Sequence, residues 1–234
     1  MRNSRIIGNI VRGMFLVVSG MVFSVHGASL KGSKPNIILV MTDDQGMGDL
    51  SCMGNEVVKT PKIDAFYEKA TRFTDFQVSP TCAPTRAAMM SGRVAFKNGV
   101  THTIMQRERM ALSTFTFPQA LQTVGYQTGI FGKWHLGDEE EYLPGSRGFD
   151  EVLIHGSGGI GQVSLGDFPP NKKNLYFDNV LLHNETIVKT KGYCTDLFFE
   201  EALGWIRKQH EAKNSYFAYL SLNAPHAPLS LIHI

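Results

Sequence analysis

A chain of 234 residues with 43% hydrophobic and 19% charged side chains has the make-up of a folded domain rather than a disordered or fibrous one. Its formal charge of +2 is set by the first 27 residues, which carry Arg2, Arg5 and Arg12 and no acid; the remainder has 20 basic against 21 acidic side chains. That near-neutral balance gives no reason to expect a nucleic-acid partner.

The N-terminal arginines precede a short apolar stretch, 14–25, and Val25-His26-Gly27 offers a cleavage position. Residues 1–27 therefore read as a secretory signal peptide, with a secreted or periplasmic mature chain. The stretch is shorter than the ~20 residues a membrane span needs, so no stable insertion is expected after cleavage. Of the three cysteines, Cys52 and Cys194 read as separate buried thiols rather than a bridge. Asn184-Glu185-Thr186 is a glycosylation sequon, relevant only in a eukaryotic secretory pathway.

Residues 36–41, Asn-Ile-Ile-Leu-Val-Met, form a continuous apolar run of the kind found in buried parallel strands. An acidic, Gly-punctuated loop with Asp43 and Asp44 follows. Thr60 and Pro61 open a helix to about Ala70, and 71–78 alternates toward a strand. Residues 84–91 read as a short helix opened by Pro84 and stopped by Gly92. A helix at 117–125 feeds a strand at 126–131, and the loop Gly132-Lys133-Trp134-His135-Leu136-Gly137 follows. The Gly-, Pro- and Asn-rich span 156–173 reads as a long surface loop. Residues 195–209 are an amphipathic helix with Leu197, Phe198, Ala202, Leu203, Trp205 and Ile206 apolar. A last strand, 215–222, ends in Asn223-Ala224-Pro225-His226-Ala227-Pro228. Strands alternating with helices predict an α/β domain with a mostly parallel central sheet flanked by helices.

Asp43/Asp44, Lys133/His135 and His226 each follow directly on a predicted strand. Strand C-terminal ends line one crevice in such sheets, so these groups can meet there. The aspartates are hard oxygen ligands suited to Ca²⁺ or Mg²⁺. Lys133 and His135 suit anion binding and proton transfer. The other histidines, His102, His155, His183, His210 and His233, read as structural or surface residues. Cys82 precedes a helix, where a thiolate nucleophile is possible. A phosphatase-type loop would need Arg where Ala88 stands, and papain-like flanks are missing.

Cys82-Ala83-Pro84-Thr85-Arg86 with Ser91-Gly92-Arg93, taken with the aspartate pair, the Gly-Lys-Trp-His-Leu-Gly loop and Pro225-His226-Ala227-Pro228, resembles the sulfatase family from about Lys34 to Pro228. Thr85 stands where that family usually has Ser; the Cys-x-Pro-x-Arg core is intact. The resemblance implies an alkaline-phosphatase-like fold and a sulfate monoester substrate, aryl or carbohydrate. It implies that a formylglycine-generating enzyme converts Cys82 to Cα-formylglycine, whose hydrate would attack sulfur. Asp43, Asp44 and residue 82 would hold Ca²⁺, with Mg²⁺ the lesser choice. Arg86 would orient the diol and Lys133 would bind sulfate oxygens. His226 would assist the leaving alcohol, and His135 would take the proton that lets sulfate go. A phosphonate or phosphodiester hydrolase of the same superfamily and an inactive secreted carbohydrate-binding protein are the rival readings.

The family's later metal ligands and its second sulfate-binding lysine have no counterpart after Pro228. Residues 28–228 are therefore expected to be the N-terminal part of a longer catalytic domain, and 229–234 an abrupt tail that need not be native. Such a fragment is expected to show weak or no activity alone.

Overall fold

The structure, a computed structural model, describes residues 29–156, 158–159 and 176–227. The proposed signal, the tail and nearly all of the 156–173 loop lie outside the described residues. The chain divides into two compact units, Met1–Ser33 and Lys34–Ile234. Of the first, only 29–33 are described, a turn in which Ser33 N donates to Leu30 O at 3.0 Å.

The second unit is built on one six-stranded sheet. Its strands are β1 (Ile37–Met41), β2 (Gln127–Lys133), β3 (Glu151–His155), β4 (Val180–His183), β5 (Thr186–Lys189) and β6 (Tyr216–Ser221), in spatial order β1-β6-β2-β3-β4-β5. The pairs β1·β6, β6·β2 and β2·β3 are parallel; β3·β4 and β4·β5 are antiparallel. The expected mostly parallel sheet is thus present, with a hairpin added at the far edge. Asn184, at positive φ, turns that hairpin. The sequon asparagine is exposed, yet its side chain accepts from Val152 N at 2.9 Å and donates to Glu151 at 3.2 Å.

Alternation along the central strands sends side chains to two apolar layers. On one face Ile130, Phe217 and Tyr219 meet Ala83, Ala87 and Met90 of α2 (Cys82–Ser91), together with Trp134 and Phe149. On the other, Phe131, Ala218 and Leu220 meet Phe198, Ala202 and Trp205 of α4 (Cys194–Glu211). Two shorter helices, α1 (Pro61–Tyr67) and α3 (Phe117–Gln122), complete the helical set. Thr116 caps α3, its hydroxyl accepting from Gln119 N, one of the N–H groups left free at a helix start. No helix among the described residues is long and apolar enough to cross a membrane.

Several expectations need correction. β1 is an edge strand, and Ile38 and Val40 are about half exposed. The apolar run marked a strand correctly, but among the described residues no helix covers its second face. Residues 71–78 form no strand; Phe73, Phe76 and Val78 are exposed, because alternation without a partner strand leaves the backbone unpaired. Helix α2 begins at Cys82, two residues before Pro84. A proline in the first turn costs little there, since those N–H groups have no intrahelical acceptor. Lys133 belongs to β2 rather than to the loop after it. Leu203 is exposed on α4, whereas Gln209 is buried. Cys52 and Cys194 are unpaired as expected, but only Cys194 is buried; burial pushes its thiol up to about 12.

Gly132 shows what close strand packing requires. Its φ is +122°, and a Cβ there would lie 1.9 Å from the Ser221 carbonyl oxygen. Only glycine lets the ends of β2 and β6 meet this closely.

Candidate active site

β1, β6 and β2 are parallel neighbours, so their C-terminal ends open onto one crevice. The loops leaving β1 and β6 are pinned together. Leu222 N donates to Met41 O at 2.9 Å and Asp43 N to Ala224 O at 3.1 Å. Asp43 is turned inward and buried, while Asp44, at φ 58°, keeps an exposed carboxylate. That left-handed residue lets two consecutive side chains face one point, which an extended pair could not do.

Asp43 anchors the charge cluster. Lys133 Nζ lies 2.6 Å from its Oδ2, and Arg86 Nη2 3.4 Å from its Oδ1. All three side chains are buried. Burial alone would raise the Asp43 pKa, but Arg86 and Lys133 outweigh it and hold the carboxyl below its ordinary value. Arg86 Nη1 also donates to Lys133 O at 2.9 Å and to Ser221 Oγ, and Ser221 Oγ donates to Lys133 O at 2.7 Å. Arg86 therefore ties α2 to the ends of β2 and β6. Its Nε is buried and has no hydrogen-bond partner among the described residues, a donor suited to an anion.

Cys82 is the first residue of α2, partly buried, where helix N–H groups point outward. Burial raises its thiol pKa, but the neighbouring His135 imidazole and the charge of Lys133 prevail, so the net shift is downward. His135 moves the opposite way. Burial lowers its pKa, while Cys82 and Glu108 raise it by more. His226 stands on the β6 side, its Nε2 3.4 Å from Asp44 Oδ2 and its Nδ1 2.9 Å from Ala227 O. The crevice continues into a cleft of about 590 Å³ lined by Asp43, Asp44, Cys82 and Arg86 with apolar Phe76 and Met89.

All seven residues singled out in the sequence thus occupy this end of the sheet. Ligand atoms of Asp43, Asp44 and Cys82 lie within 4.8 Å of one another; the two carboxylates fit a hard divalent cation, whereas the sulfur of Cys82 is a soft ligand, so the set suits such an ion only with an oxygen at residue 82. One other such group among the described residues, Glu151, His183 and Glu201, contains a His183–Glu151 pair at 2.7 Å. Sequence reasoning missed Glu108, Thr103 and Ser221. Glu108 sits in the charged run Gln106-Arg107-Glu108-Arg109, which reads as solvated surface, yet it is buried against His135.

His155 ends β3 beside Lys133. It is fully buried, its Nδ1 is 2.7 Å from Gly156 O, and desolvation pushes its pKa down to about 3. An unfolded histidine protonates near 6.5. Below that pH the unfolded chain binds a proton that the folded chain refuses, so unfolding is favoured by acid until the folded pKa is reached. Lowering the pH from about 7 to about 4 is expected to cost about 3 kcal/mol through this group. Urea unfolding across that range should show a shallower pH dependence in His155→Gln; equal slopes would refute the assignment.

Residues 35–232 match the Sulfatase family model. Arylsulfatase G from Rattus norvegicus is 37% identical over 92% of this chain and 46% of its own length. N-acetylgalactosamine-6-sulfatase from Rattus norvegicus is 32% identical over 83% of this chain and 40% of its own length. The crystal structure of Ps i-CgsB in complex with k-i-k-neocarrahexaose superposes with a TM-score of 0.71 at 33% identity, covering 84% of this chain and 46% of that one. A structure in complex with its substrate D-glucosamine-2-N,6-O-disulfate gives 0.68 at 28%, covering 83% and 35%. The chain spans less than half the length of each of these relatives.

Proposed function

Because the chain belongs to the sulfatase family, we propose that the whole protein is a sulfuric ester hydrolase acting on sulfate monoesters, with sulfated carbohydrates as the foremost substrate class and aryl sulfates next. The observation that carries this reading is the convergence of Cys82, Arg86, Lys133, His135 and His226 around Asp43 at the end of one sheet. The carbohydrate choice follows the sulfatase structures solved with saccharides. Export and a secreted or periplasmic location belong to the same reading.

Cys82 would be converted by a formylglycine-generating enzyme to Cα-formylglycine, whose hydrate supplies an oxygen nucleophile. Asp43, Asp44 and residue 82 would hold Ca²⁺, which supplies Lewis-acid polarisation of the ester. The remaining steps fall to this chain's side chains. Arg86 and Lys133 bring two buried cations to sulfate oxygens, where negative charge grows as the sulfur–oxygen bond breaks. The Nδ1 of His226 donates to the Ala227 carbonyl, and Nε2, 3.4 Å from Asp44 Oδ2, would carry the second proton of the imidazolium, which passes to the departing alcohol oxygen and leaves a neutral ring. His135 then takes a proton from the hydroxyl on residue 82 as sulfate departs, restoring the carbonyl there.

Mass spectrometry of the peptide carrying residue 82, from a host that makes the maturation enzyme, tests this reading. Loss of the thiol in favour of an aldehyde is expected; an intact thiol would favour a binding protein without turnover. Matched sulfate and phosphate esters should give a higher kcat/KM for sulfate, and the reverse order would favour the phosphonate or phosphodiester hydrolase.

A further inference from the structure

His135 is held on one edge and open on the other. Its Nε2 lies 2.8 Å from Thr103 O and 3.1 Å from Glu108 Oε2. Both partners are acceptors, so in the neutral ring Nε2 must carry the proton shared between them. Nδ1 is buried and has no hydrogen-bond partner among the described residues, and the ring lies beside Cys82. We propose that Glu108 is the positioning residue of the active-site histidine: together with the Thr103 carbonyl it holds His135 in the Nε2–H tautomer and turns Nδ1, as an acceptor, toward residue 82.

The surroundings are built for that one orientation. His135 takes a left-handed backbone conformation, φ 59°, that a non-glycine residue rarely adopts. Met110 N donates to Leu136 O at 3.2 Å, tying the Glu108 segment to the His135 loop. Gly158 closes against the same ring edge, where a Cβ would lie 2.3 Å from Nε2. Glu108 itself is nine-tenths buried, so its carboxylate is not a solvated charge that happens to lie nearby. A carboxylate on one imidazole nitrogen and a reacting group on the other is the geometry that selects a tautomer for proton transfer.

The consequence rests on the sulfatase reading above. With Nδ1 as acceptor, the proton on the residue-82 hydroxyl has a defined destination when the bond to sulfate breaks. The electron pair of that O–H bond becomes the second bond of the restored carbonyl, and the broken carbon–oxygen bond leaves its electrons with sulfate.

Glu108→Gln keeps the shape of the side chain but can present an amide N–H to Nε2, a donor that competes with the Thr103 carbonyl and lets the other tautomer be populated. In the whole, matured protein it is expected to lower kcat by ten- to a thousandfold, with KM within about twofold. Sulfate should be retained on the peptide carrying residue 82 at steady state. Nitrogen-15 NMR of the present chain, with Cys82 unmodified and the ring neutral, gives a readout independent of turnover. The expected spectrum shows a protonated Nε2 and a bare Nδ1 in the native chain, and a mixture in the variant. A native chain with Nδ1 protonated, or a variant with unchanged kcat, would overturn the proposal. If Glu108→Gln does not fold, Glu108→Asp, which keeps the charge but draws the carboxylate back from Nε2, takes its place, and a native-like kcat and spectrum in it would overturn the proposal. If Cys82→Ala keeps full sulfatase activity, the parent reading fails instead, and the NMR result still judges Glu108.

Discussion

Cys82→Ala is expected to lower kcat/KM for a sulfate ester by about 10⁴-fold or more in the whole protein, without unfolding it. Alanine is a good helix former and fits the first turn of α2. It removes the only atom at this position that maturation can act on, so Arg86, Lys133 and the histidines would be left surrounding a site with no nucleophile. Binding should survive, because the cations that would hold sulfate come from other elements. The measurement is a progress curve with a chromogenic sulfate, together with inhibition by a sulfated saccharide to show that the site still binds. Cys52→Ala serves as the control: Cys52 lies in the short turn Ser51–Met53, packed near Asp64, and its loss should leave the rate within about twofold. Residual activity above a tenth of wild type in Cys82→Ala would mean that another group attacks sulfur.

The part of this site that could be read from sequence is the part attached to strand ends. Asp43, Lys133, His135 and His226 follow short apolar segments, and those segments are the parallel neighbours β1, β2 and β6. Adjacent parallel strands must bring their C-terminal ends together, so order along the chain is enough to place these residues. Cys82 and Arg86 were legible for a different reason: the local pattern Cys-x-Pro-x-Arg resembles a family signature, and a helix start fixes both on one short element. Glu108 had neither support. It is buried only because its segment is tied to Leu136, a contact between distant parts of the chain that no local pattern encodes. The strand expected at 71–78 failed from the same cause in reverse. Only Phe76 and Val78 keep the two-residue spacing of a strand face, with Phe73 out of step, and a strand exists only where another strand accepts its hydrogen bonds; none among the described residues pairs with this segment. The β4–β5 hairpin escaped notice because its strands are four residues each, too short for periodicity to separate from chance.

Asp43→Ala is expected to destabilise the fold by about 3–5 kcal/mol, the largest stability effect at this site. Removing the carboxylate leaves Arg86 and Lys133 as two buried positive charges whose nearest counter-charge is gone. Their side chains are at most 2% exposed, so water cannot substitute for the lost carboxylate without opening the ends of β2 and β6. The backbone argues the same way: Lys133 O accepts from both Arg86 and Ser221, so neither cation can swing outward without breaking that network. The cost is one of leaving charges unpaired rather than a measure of what the ion pairs add. Asp43→Asn separates the two, because it keeps the shape and an acceptor oxygen for Lys133 while removing the charge. Its loss should be smaller than that of alanine but well above the ~0.5 kcal/mol typical of a surface change. Double variants extend the test. Adding Lys133→Met to Asp43→Ala removes one stranded charge and should recover part of the stability, giving a coupling of opposite sign to the single losses. Urea unfolding of wild type, the three single variants (Asp43→Ala, Asp43→Asn, Lys133→Met) and the double variant measures all of this. An alanine variant within about 0.5 kcal/mol of wild type, or a double variant whose losses simply add, would show that the cluster is not held together by the Asp43 charge.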